Sequence, residues 1–100
     1  MFFIEFKKIG KADKNMKKFD YIIKDKVGIH ARPAGILVKE ARKFQSSIIL
    51  GKEGKTAEAT KLMAVMGLGV KCGQTVTVTI EGADEDNAYE AMKAFFEANL

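Results

Sequence analysis

Apolar and polar positions alternate from Phe19 onward: Phe19, Tyr21 and Ile23 stand at period two with polar Asp20 and Lys24 opposite, and Ile22 is the one break. This is the period of a strand with one buried face. Asp25 to Gly28 turns the chain, Pro33 sits where a helix can begin, and Ala34, Leu37, Val38, Ala41 and Phe44 recur at helical spacing on one face. Ser47 to Leu50 and Lys55 to Ala59 flank turn chemistry at Gly51 to Gly54, which predicts a hairpin. Leu62 to Leu68 reads as a short helix stopped near Gly67 and Gly69, and Val76, Val78 and Ile80 then alternate with Thr75, Thr77 and Thr79 in a last strand. After Gly82, Asp84 is placed to cap a final helix, with Glu85 and Asp86 in its first turn and Ala88, Ala91, Met92 and Phe95 as its buried stripe.

Strand, helix, strand, strand, helix, strand, helix is an order in which helices cover one face of a mainly antiparallel sheet, an α+β two-layer domain. Residues 1–16 read as an N-terminal extension and 17–100 as one domain, because Gly10 to Asn15 is polar and shows neither period. Met16 is itself a possible start residue, so a native basic arm, an upstream start and a cloning remnant all stay open.

With 100 residues and 47% of them apolar, the chain has material for one modest core without metals or disulfides. Cys72 has no second cysteine to pair with and is read as a packed thiol; no surplus His stands at ligand spacing, so neither a metal nor a cofactor is expected. No apolar run approaches the roughly 18 residues of a membrane span. Glu5 interrupts the short apolar start, and a protein of the reducing cytoplasm, without membrane insertion, is expected. The net charge of +4 is mild. Lys7, Lys8, Lys11, Lys14, Lys17 and Lys18 lack interleaved aromatics at a groove-reading element, so no nucleic-acid partner is expected.

The chemistry gathers at the single histidine, in the run Gly28, Ile29, His30, Ala31, Arg32, Pro33, Ala34. A helix N-terminus leaves amide donors free and favours negative charge, so the amides of Ala31 and Arg32 could receive a phosphoryl group, and the donor that Pro33 lacks would be spare. The same field disfavours a protonated ring, and a neutral imidazole able to attack phosphorus is expected. Arg32, a planar permanent cation, suits phosphoryl oxygens or a partner's carboxylates. On spacing alone, however, His30 as a simple cap and Arg32 as a solvent-facing side chain stay open.

The run from Gly28 to Ala34 resembles the phosphorylation-site signature of HPr, the histidine-containing phosphocarrier family of the phosphoenolpyruvate-dependent sugar phosphotransferase system. Further blocks agree in order: Leu37, Val38 and Ala41 to Phe44 with the family's first helix, Gly54 to Thr56 with the hairpin, Leu62 to Val70 with the short second helix, and Gly82 to Glu85 with Ala88 at the start of the last. The resemblance runs from about Lys18 to the C-terminus. It implies an open-faced β-sandwich, a four-stranded antiparallel sheet with three helices on one face. It also implies that His30 accepts a phosphoryl group on Nδ1 from phosphorylated Enzyme I and hands it to EIIA domains for sugar uptake. The chain would then be a stoichiometric carrier rather than an enzyme, and a monomer. Arg32 matches the motif's arginine as phosphoryl and partner contact. Ala31, Leu62, Met63 and Met66 would belong to the partner surface, a use that suits methionine's adaptable side chain, although Met66 reads equally well as core.

One departure bears on regulation. Many family members carry a regulatory serine at the start of the second helix, where this chain has Lys61, preceded by Thr60. Lysine cannot take a phosphate from a serine kinase, so no serine-based regulation is implied. Thr60 could stand in as a phosphate acceptor, but its ordinary role as a helix N-cap is the preferred reading.

Overall fold

The computed structural model describes residues 16–100, so the extension read at residues 1–15 lies outside the described residues. Seven elements follow in the predicted order: β1 (Met16–Ile22), α1 (Ala31–Ala41), β2 (Ser47–Lys52), β3 (Lys55–Glu58), α2 (Leu62–Gly67), β4 (Thr75–Glu81) and α3 (Glu85–Asn99). Met16, grouped with the extension above, opens β1 opposite Glu81.

The sheet runs β1-β4-β2-β3, antiparallel throughout. Val78 of β4 faces Phe19 on one side and Leu50 on the other, and Leu50 in turn faces Ala57, so one row of buried side chains crosses all four strands. Period-two alternation makes that row one face of the sheet. The helices lie on it, contributing Ala34, Leu37, Val38 and Ala41 from α1, Val65 from α2, and Ala88, Met92, Phe95 and Phe96 from α3. The opposite face keeps Lys18, Asp20 and Thr75 in solvent, and Thr77 Oγ1 donates to Asp20 Oδ1 across the β1–β4 pair. This is the open-faced α+β sandwich expected from the sequence.

Several local expectations are corrected. Phe96, absent from the expected stripe of α3, is fully buried and meets Phe19 and Tyr21 edge-on at ring distances of 5.8 and 5.5 Å, whereas Ala91 is only partly covered. The buried face of a long helix is wide enough to take both Phe95 and Phe96. Phe44 packs on the core from beyond the end of α1, whereas Ile22, the break in the alternation, lies exposed on the polar face as the pattern places it. The hairpin turn is narrower than Gly51 to Gly54: only Glu53 and Gly54 leave the strands. Both have positive φ, 49° and 84°, as a two-residue turn between twisted strands requires.

Asp84 is the N-cap residue of α3, yet its carboxylate makes no bond to its own helix. It accepts instead from the Gln45 and Ser46 amides, each at 2.9 Å, and from the Ser46 hydroxyl. These donors, the Ser46 hydroxyl first, hold its carboxyl below the ordinary value of 3.8. A carboxyl depressed on folding contributes stability above its unfolded pKa and loses it as pH falls from about 4 through the lower folded value. Asp84→Asn is therefore expected to flatten the acid limb of the stability curve. Denaturant melts at about pH 7 and about pH 3 check this, and an equal loss of stability in variant and wild type would refute it.

Candidate functional site: the start of the first helix

The turn before α1 is closed by local bonds and anchored by long-range ones. Asp25 Oδ1 accepts from the Val27 amide at 2.9 Å, and the Asp25 carbonyl accepts from Gly28 at 3.0 Å. Gly28 has φ +80°, and a Cβ on it would stand 2.3 Å from the Val70 carbonyl oxygen. Ile29 is buried and donates its amide to that same oxygen at 3.0 Å, while the amides of Lys24 and Asp25 donate to the Leu100 carbonyl. The segment is thereby tied to both the β4 approach and the end of α3.

The chain then enters α1 with His30 as the N-cap residue in an extended conformation, φ −108° and ψ −172°. The helix begins at Ala31, so Pro33 falls in its first turn, two residues after the opening one. Proline is tolerated anywhere in a first turn, because the amides there have no helical acceptor. The first helical bond runs from Ala34 N–H to the His30 carbonyl at 2.9 Å. With Pro33 lacking a donor, Ala31 and Arg32 carry the amides that α1 leaves free.

The His30 side chain makes no capping bond. The imidazole is half-buried beside a shallow hollow lined by Asp25, Arg32, Pro33, Ile36 and Asn99. Ala31 and Arg32 are exposed. Arg32 and Ile36 also border a second groove, shared with Gly35, Val38, Lys39, Arg42 and Leu62, so the hollow at His30 continues between α1 and α2. The structure thus brings His30, Arg32 and Leu62 along one connected surface.

On α2 only Val65 is buried. Met63 is 77% exposed, Leu62 38% and Met66 36%, so the core reading of Met66 does not hold. Met63 and Met66 share the helix with Leu62 without lining the groove. The N-cap of α2 is the exposed Lys61, not Thr60 as expected, and Lys61 also caps without a side-chain bond. Cys72, expected to be packed, is exposed, with Sγ 3.8 Å from the Lys24 carbonyl oxygen.

Sequence reasoning missed Asp25, Ile36 and Asn99 as neighbours of His30. Ile36 carried a usable signal, being a large apolar residue just outside the buried stripe of α1. Asp25 was absorbed into its turn, and Asn99 arrives from the far end of the chain. Among the described residues no cluster of His, Cys, Asp and Glu could hold a metal ion, and no helix is long and apolar enough to cross a membrane.

A family profile described as the PTS HPr component phosphorylation site matches residues 17–98. The phosphocarrier protein HPr of Mycoplasma genitalium is 44% identical over 85 residues, covering 84% of this chain and 97% of that protein. The HPr-like protein Crh of Halalkalibacterium halodurans is also 44% identical, over 75% of this chain and 89% of its own. A solved histidine-containing phosphocarrier protein of Mycoplasma superposes with a TM-score of 0.77 at 43% identity, covering 79% of this chain and 90% of that one. The chain belongs to the HPr family, the phosphocarrier proteins of the phosphotransferase system.

Proposed function

We propose that His30 accepts a phosphoryl group from phosphorylated Enzyme I and passes it to EIIA domains in sugar uptake. The observation that carries this reading is an imidazole standing at the N-cap of α1 without a capping bond, beside two amides the helix leaves free. In the forward step the Nδ1 lone pair of the neutral ring forms the new N–P bond as the donor's N–P bond breaks, and the donor imidazole leaves with that electron pair. Phosphoryl transfer needs little covalent help, so the protein's part is positioning and charge stabilisation. The Ala31 and Arg32 amides and the Arg32 guanidinium meet the phosphoryl oxygens.

The protein turns over only by handing on its cargo, as a carrier and not an enzyme, and it works as a cytoplasmic monomer. The carrier domain is residues 17–100, with Met16 joining its first strand. Leu62, Met63 and Met66 form the apolar part of the docking surface, and their exposure supports that use. Lys61 places a cation where a phosphoserine would bring about −1.5 to −2 of charge, so docking on an acidic partner is left unhindered.

The full chain, incubated with phosphoenolpyruvate and Enzyme I, is expected to carry one acid-labile, alkali-stable phosphate that maps to His30 and is discharged by EIIA. Prior treatment with ATP and a serine kinase acting on this family should leave the rate unchanged. A label elsewhere, or none, overturns the carrier assignment; a rate lost after kinase treatment overturns the role given to Lys61.

A further inference from the structure

Arg42 follows directly on the last residue of α1, and its guanidinium reaches across to the segment before α2. Nε and Nη2 both donate to the Thr60 carbonyl oxygen, at 3.1 and 3.0 Å. That oxygen plays no part in α2, whose first bond runs from the Val65 amide to the Lys61 carbonyl at 3.0 Å. The helix itself has little else to locate it: six residues, one buried side chain and no side-chain cap. A helix this short is marginal without tertiary support. A planar fork with two donors on one acceptor constrains direction as well as distance, which a lysine ammonium does not.

We propose that Arg42 is a positioning residue for partner docking, clamping the start of α2 to the end of α1 so that Leu62 stands in the groove beside Arg32 and Ile36. It acts through Leu62 rather than by meeting the partner as a free cation. The inference rests on the docking surface proposed above. The bond to a neutral carbonyl leaves the charge of Arg42 in place, so Arg42→Lys keeps the field and changes only the geometry.

Two measurements test this. Amide hydrogen exchange on the isolated full chain needs no partner: Arg42→Lys should lower protection of the Val65 amide about tenfold while leaving Val78 in β4 unchanged. Transfer from Enzyme I then supplies a double-mutant cycle. Arg42→Lys should lower kcat/KM about tenfold, mainly through KM, when Leu62 is present, and by less than about twofold in the Leu62→Ala background. Unchanged Val65 exchange, or equal losses in both backgrounds, overturns the clamp. If wild type takes no phosphate from Enzyme I, the carrier reading has failed instead, and the exchange measurement still decides whether Arg42 holds α2.

Discussion

Replacing His30 by alanine is expected to remove all labelling by phosphoenolpyruvate and Enzyme I, a fall of at least roughly 10³-fold, while leaving the fold intact. Both halves follow from the geometry. The chain has one histidine, so no second imidazole can take over as an N-phosphate acceptor. The ring makes no cap bond, and the helix is entered through the His30 backbone, which alanine preserves. Stability should therefore shift by no more than about 1 kcal/mol, since the half-buried ring gives up some packing but no capping bond. Thermal melting and phosphate counting on the same sample separate the two effects. An acid-labile phosphate persisting in His30→Ala would end the assignment.

The second large effect lies two residues upstream. Gly28→Ala should destabilise the protein by roughly 2–4 kcal/mol, because the substitution meets a left-handed backbone and a main-chain oxygen 2.3 Å from the new carbon. Gly54 provides the control, since it has φ +84° with open space around it, and alanine there carries only the conformational cost of about 1–2 kcal/mol. The difference isolates the overlap with Val70. Urea melts of the two variants check it, and equal destabilisation at Gly28 and Gly54 would show that the turn gives way without cost. Any relief of the overlap moves the Ile29 amide off Val70, and His30 moves with it.

The elements are legible because their periods are clear: Thr75 to Ile80 strictly at two, Phe19 to Ile23 at two with one break at Ile22, and Ala34 to Ala41 near four. Loss of legibility begins where a residue answers to something distant. The approach to α1 is such a case, since the incoming chain is held by the Ile29 amide on the Val70 carbonyl, forty-one residues away. Asp84 looked like a cap, and it holds the cap position, but its carboxylate serves the Gln45–Ser46 backbone, which no local pattern reveals. Thr60 looked like a cap for α2, but α2 starts one residue later, and the Thr60 carbonyl is taken up by Arg42 from another element. For the site, the run around His30 is visible in the sequence and Asn99 is not, because Asn99 comes beside His30 only once α3 is in place.

The place of β4 between β1 and β2 has a consequence for how the molecule is made. Neither β1 nor β2 meets this central neighbour until residues 75–81 have left the ribosome, so a growing chain holds at most the β2–β3 ribbon and isolated helical turns. The loop carrying the imidazole waits longer still, since the oxygen that receives the Lys24 and Asp25 amides belongs to Leu100. The turn before α1 thus gains its anchor only once residue 100 has been made, after the strand that joins the two halves of the sheet.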